Sequence, residues 1–100
     1  MNITEINDES FEDVINSGGK VILDCYAPWC GPCNMFSAVF EELSDEEEQI
    51  RFCKLNTDEN PETAERFDVL SLPTVLVFEN GRLKNRETGF KTKEEVKALL

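Results

Sequence analysis

The stretch Val21-Ile22-Leu23-Asp24-Cys25-Tyr26-Ala27-Pro28-Trp29-Cys30-Gly31-Pro32-Cys33 joins two different periodicities. Residues 21–27 are a nearly continuous apolar run with β-branched members, the pattern of a strand covered on both faces. Beyond Cys33, the residues Met35, Phe36, Val39, Phe40 and Leu43 recur at helical spacing, which predicts a long helix from about Pro32 to Glu48. The two cysteines therefore stand where a buried strand passes into a helix. The first lies at the helix N-terminus, where unpaired backbone N–H groups and the dipole favour a thiolate. The second follows one turn later, within reach of the first. Pro32 supplies a fixed φ in the first turn, and Gly31 leaves the approach to the exposed sulfur open.

Working outward, Phe11, Val14 and Ile15 mark a short amphipathic helix over Asp8–Ser17, ended by Gly18-Gly19. Arg51–Leu55 and Thr74–Phe78 read as two further strands. Between them Asn60-Pro61 has the form of an N-cap and N1 proline, opening a short helix through Phe67. Asn80-Gly81 is a hairpin signal leading into a more polar strand, Leu83–Thr88, suited to a sheet edge. Thr92 with Glu95 predicts a capping box for a last helix bearing Val96, Leu99 and Leu100. The order α-β-α-β-α-β-β-α implies an α/β domain with a mixed central β-sheet of four strands, flanked by helices on both faces. Strands separated by helices are expected to be parallel and the final pair antiparallel.

One hundred residues, without a linker or composition break, make a single domain over 1–100. Twenty-one acids against 10 bases give a net charge of −11, which argues against nucleic acid and against anionic membranes as partners. There is no histidine, so histidine acid–base chemistry and His-containing metal sites are excluded. Mean hydropathy is −0.39. Residues 1–20 carry no secretory pattern, and the longest apolar run, Val75–Phe78, is far too short to span a bilayer. A cytoplasmic protein is expected. The acidic run Glu41–Glu48 reads as a solvated face at the far end of the long helix, with almost no charge near Trp29–Cys33 and Leu72–Thr74.

A disulfide staple and half of a metal site are the two plain alternatives to redox chemistry at Cys30 and Cys33. A chain with a full helix-and-sheet core does not need a staple. Zinc or iron–sulfur sites want about four ligands, whereas Cys25 and Cys53 stand singly inside strand patterns and read as small core hydrophobes. Redox chemistry is the stronger reading. A binding or chaperone-like module and a structural subunit of a partner enzyme are the non-enzymatic rivals, and an intact dithiol argues against both. Asp24, in line with Ile22 and Tyr26, would be buried and its carboxyl pushed up, unless it lies on a solvent-facing edge.

From end to end the chain resembles the thioredoxin family. Trp29-Cys30-Gly31-Pro32-Cys33 matches that family's active-site motif, and Asp24, Ala27-Pro28, Leu72-Pro73-Thr74, Asn80-Gly81 and Gly89 fall at matching places. The resemblance implies the thioredoxin fold and reduction of protein disulfides by dithiol–disulfide exchange. The redox-active Cys30–Cys33 disulfide would act without a cofactor or metal. Disulfide-containing proteins would be substrates of a monomer, recycled by a thioredoxin reductase of flavin/NADPH or ferredoxin type.

The resemblance also implies that Asp24 lies below the dithiol and relays a proton to or from Cys33. Lys54 would approach Asp24, although a solvated strand-end lysine is equally consistent. Trp29, Gly31, Pro32, Leu72, Pro73, Thr74 and Gly89 would form the substrate-binding surface. The Leu72–Pro73 bond would be cis, keeping metals out and letting the Leu72 backbone pair with an extended substrate. The chain departs from the common pattern at Asn34, where lysine is usual, at Ala38, where many members carry a kinking proline, and at Cys25-Tyr26. These departures bear on potential and partner choice.

Overall fold

The computed structural model describes residues 2–100. Its elements run β1 (Ile3–Ile6), α1 (Phe11–Ile15), β2 (Lys20–Tyr26), α2 (Gly31–Glu46), β3 (Arg51–Asn56), α3 (Pro61–Arg66), β4 (Thr74–Glu79), β5 (Arg82–Thr88) and α4 (Lys93–Lys97). The strands form one sheet in the order β1-β3-β2-β4-β5.

β2 is paired on both sides, parallel to β3 and antiparallel to β4. Its alternate residues serve two cores. Val21, Leu23 and Cys25 pack with Phe11, Ile15, Leu55 and Phe78 on the α1 face. Ile22 packs with Phe36, Phe40, Phe52 and Val96 on the face covered by α2 and α4. The unbroken apolar run follows from this double coverage. Asp24 shares the Ile22 row and is the charged exception, fully buried.

The sheet has five strands, one more than the sequence pattern predicts. The addition is β1, Ile-Thr-Glu-Ile, whose apolar residues sit at its two ends and do not alternate. Its conformation is set by parallel pairing with β3 along Ile3↔Phe52 to Ile6↔Leu55, a partnership that no local pattern encodes. The direction of β4 also differs from the parallel expectation. β3 ends beside Tyr26, at Asn56, and β4 begins beside Cys25, at Thr74, so both lie at the same end of β2. The six-residue α3 advances only about 9 Å, too little to carry the chain back along the sheet. The chain therefore enters β4 from the end at which β3 finished.

The hairpin and the last helix follow the local signals. Asn80 and Gly81 both have positive φ, 51° and 85°, as a two-residue hairpin requires. Thr92 Oγ1 accepts from the Glu95 N–H at 3.2 Å, while Glu95 Oε1 accepts from the Thr92 N–H at 2.9 Å. The acidic end of α2 is tied to α4: Lys93 donates to Glu42 and Glu46, each at 2.7 Å, and Lys97 pairs with Glu46 at 3.2 Å.

Asn60 does not cap α3 with its side chain. Asp8, from the loop after β1, does so instead. Its carboxylate accepts from the Thr63 N–H (2.8 Å), the Thr63 hydroxyl (2.6 Å) and the Glu62 N–H (3.1 Å). Asn60 in turn accepts from the Asp8 N–H at 2.9 Å. Partial desolvation opposes ionisation of Asp8, but these hydrogen bonds prevail and hold its carboxyl below the ordinary range. Because the folded value is the lower one, this stabilisation is present at neutral pH and fades as acid protonates the folded carboxylate. Asp8→Ala should lower unfolding free energy at pH 7 by about 1–2 kcal/mol. In urea melts the difference from wild type should shrink below pH 4.

Candidate active site

β2 delivers the chain into a tight turn, with the Cys30 N–H bonded to the Ala27 carbonyl at 3.2 Å. Cys30 is the N-cap of α2, and Pro32 lies in the first turn. Cys30 and Cys33 are joined as a disulfide, with Cα atoms 5.2 Å apart. The Cys33 N–H donates to the Cys30 sulfur at 3.2 Å. The sulfur of Cys30 thus sits where α2 presents unpaired N–H groups, an environment that stabilises a thiolate once the bond is reduced. Cys30 and Cys33 pack with Ala27, Tyr26 and Leu72 and are only 5% and 3% exposed.

The loop before β4 packs against this pair through Leu72. Leu72–Pro73 is cis, and the Pro73 carbonyl accepts from the Gly89 N–H at 2.8 Å, linking the loop to the end of β5. A groove of about 410 Å³ runs past the disulfide, lined by Trp29, Cys30, Gly31, Pro32, Leu70 and Leu72 together with Thr57 and Val69. Trp29 is 72% exposed, and its indole N–H donates to Asp58 at 2.8 Å.

Two sequence expectations change here. The side chain of Thr74 is wholly buried, and its hydroxyl donates to the Ser71 carbonyl at 2.6 Å, so it braces the loop and does not line the groove. Thr74 is turned inward because it opens β4 on a buried row. Nor is the rim free of charge, since Asp58 touches Trp29. Leu70, 91% exposed, is a groove residue that the periodicity did not single out. Its only local signal is a large apolar residue in a loop next to Leu72-Pro73.

Asp24 lies one strand position below Cys25 in the row facing α2. Both carboxylate oxygens are buried, and neither is hydrogen-bonded to a protein group. Burial pushes its carboxyl up to about 7, against the pull of Lys54 and with a small push from Glu5. Lys54 is its neighbour in register on β3. The lysine ammonium donates to the Ser37 hydroxyl at 3.1 Å and lies 4.7 Å from the centre of the Tyr26 ring. Burial pushes the free thiol of Cys25 up to about 12 and also raises that of Cys53, so both are inert core groups. Among the described residues no group of three His, Cys, Asp or Glu side chains is placed to hold a metal ion.

A closed thiol pair at a helix N-terminus, beside a cis-proline loop and following a strand that carries a buried carboxyl, defines a dithiol–disulfide exchange protein. The Thioredoxin family model matches residues 2–100. Thioredoxins of Staphylococcus haemolyticus and Bacillus subtilis are each 42% identical over 101 residues, covering 100% of this chain and 96% of theirs. Mitochondrial thioredoxin 3 from Saccharomyces cerevisiae, in its oxidized form, superposes with a TM-score of 0.89 at 31% identity, over 97% of this chain and 92% of that one. The chain belongs to the thioredoxin family, and it is a thiol–disulfide oxidoreductase.

Asp24 has a folded pKa above its unfolded value, so folding is penalised once pH rises past the unfolded carboxyl's range, and the penalty is complete above the folded value. Asp24→Asn should therefore stabilise the protein by roughly 4 kcal/mol at pH 8. The gain should be nearly absent at pH 4, as measured by chemical denaturation at the two pH values.

Proposed function

We propose that the chain reduces disulfides of other proteins with Cys30 as nucleophile, Cys33 as resolving thiol and Asp24 as the proton acceptor for Cys33. The contact between the Cys33 N–H and the Cys30 sulfur carries this reading, because it makes Cys30 the sulfur best able to hold negative charge. In the reduced protein the Cys30 thiolate attacks one sulfur of a target disulfide. A mixed disulfide forms, and the other target sulfur leaves as a thiolate. Asp24 then takes the Cys33 proton, and the Cys33 sulfur attacks Cys30. The second target thiolate departs, so two electrons pass to the target and the Cys30–Cys33 disulfide closes. An acceptor titrating at about 7 is available in both protonation states at neutral pH.

Trp29, Gly31, Pro32 and Leu72 would receive the target segment along the groove that Leu70 also lines, with Pro73 and Gly89 contributing from the loop that their hydrogen bond holds beside it. Thr74 would contribute through the loop it braces. No cofactor is needed for the exchange, since the sulfurs carry the electrons. A thioredoxin reductase of the flavin/NADPH or ferredoxin type would return two electrons to the disulfide. We place the protein in the cytoplasm, acting as a monomer with one domain over residues 1–100. The charged and exposed β5 blunts one sheet edge against self-pairing. Among the described residues no helix is long and apolar enough to cross a membrane.

Insulin reduction driven by dithiothreitol tests the activity. Wild type should accelerate it, and the double variant Cys30→Ser/Cys33→Ser should leave only the background rate. Equal rates would remove the enzymatic reading. Cys33→Ser alone should accumulate mixed disulfides through Cys30, visible as thiol-sensitive adducts by mass spectrometry. With a net charge of −11, turnover by a basic-faced reductase should slow as salt rises, while turnover by dithiothreitol should not.

A further inference from the structure

On the face of the sheet covered by α2, one lateral row runs Glu5 on β1, Lys54 on β3, Asp24 on β2 and Val75 on β4. Lys54 thus stands between an exposed carboxylate at the sheet edge and a buried one. Yet its ammonium makes no ion pair with Asp24, although both Asp24 oxygens lack a protein hydrogen-bond partner. It is held elsewhere, by the Ser37 hydroxyl at 3.1 Å and over the Tyr26 ring at 4.7 Å. The Tyr26 ring is itself anchored, since its hydroxyl donates to Glu5 at 2.8 Å.

We propose that Tyr26 and Ser37 clamp the Lys54 ammonium beside the Asp24 carboxylate but out of hydrogen-bond contact with it, which makes Tyr26 a positioning residue for disulfide exchange. A lysine in direct contact would favour the carboxylate strongly, because opposite charges within about 4–6 Å lower a carboxyl by 1–3 pKa units. The clamp keeps that interaction partial, so that Asp24 retains affinity for a proton in the range where thiols exchange. The ring face attracts the ammonium, and the hydroxyl accepts from it; both compete with Asp24 for the same cation. Glu5 acts at one remove, fixing the ring and adding a small repulsion at Asp24. The other groups facing Asp24 do not offer a competing charge. Val75, its neighbour on β4, is apolar, and Ser37 of α2, which holds the lysine, is neutral. Cys25, whose thiol is also raised by Asp24, and Arg86 act from the opposite side of the sheet.

The proposal rests on the assignment of Asp24 as proton acceptor, and its test separates the two. The Asp24 carboxyl is titrated by carbon-13 NMR in the disulfide-bonded protein, where Cys30 and Cys33 do not titrate, its resonance identified by its loss in Asp24→Asn. Tyr26→Leu removes the ring face and Ser37→Ala the hydroxyl. Each should shift the Asp24 titration to lower pH by about one unit, a tenfold loss of proton affinity. Tyr26→Phe keeps the ring but loses its tether to Glu5, and should shift the titration less than Tyr26→Leu does. Adding Lys54→Met should abolish the shift caused by Tyr26→Leu. If Tyr26→Leu folds, as judged by its thermal melt, and Asp24 titrates unchanged or at higher pH, the clamp is overturned. A shift that survives Lys54→Met overturns it equally. If the NMR titration moves as expected but the pH profile of disulfide reduction stays put, the clamp stands and the proton role of Asp24 falls.

Discussion

The hydrogen bond from the Cys33 N–H to the Cys30 sulfur exists because Cys30 occupies the N-cap of α2, and α2 begins there because β2 is held on every side. β2 pairs with β3 and β4 along its edges and is packed on both faces. Its end therefore has little freedom, and the turn through Ala27–Trp29 delivers Cys30 to one place. For a partly buried charge, the helix terminus and a hydrogen bond to the charged form are each worth on the order of 1–2 kcal/mol. Each 1.4 kcal/mol moves a thiol by about one pKa unit. Rigid placement of a few backbone N–H groups thus favours a thiolate at one of four cysteines.

The same burial sets the other three apart. Cys25 and Cys53 lie on the neighbouring strands β2 and β3, yet desolvation outweighs the pull of Arg86 on the first and of Arg51 on the second and keeps both protonated. Cys33 lies one turn inside α2, less exposed than Cys30, and suits a second attack within the same molecule. Asp24 occupies a position where any apolar residue would pack at lower cost. Its carboxyl is buried without a protein hydrogen bond, a feature that weakens the fold and that the proposed mechanism turns to use as a proton acceptor.

Charge is distributed to match. The acids at the end of α2 are partly matched by Lys93 and Lys97 of α4, which also tie the two helices together. Near the groove, Asp58 fixes the indole of Trp29, while Trp29, Leu70 and Leu72 present apolar surface around the disulfide. A target can meet that surface through side-chain and backbone contacts, with long-range fields guiding its approach.

The residues of Val21–Cys33 by themselves determined that a buried strand leads into a helix with a dithiol at its N-terminus. Asn80-Gly81 determined the hairpin, and Thr92 with Glu95 the last helix cap. In each case the deciding interactions lie within a few residues. Periodicity also made the exposure of β5 legible, because polar side chains cannot fill a core. Only the tertiary structure decided that Ile3–Ile6 is a strand, that β4 runs antiparallel to β2, that Asp8 rather than Asn60 caps α3, and that Lys54 rests on Tyr26 and Ser37. These depend on partners as far as 59 residues away, Lys20 and Glu79, chosen by sheet register and by where a short helix releases the chain. Local sequence specifies which contacts a residue is able to make; the packed sheet selects which of them it makes.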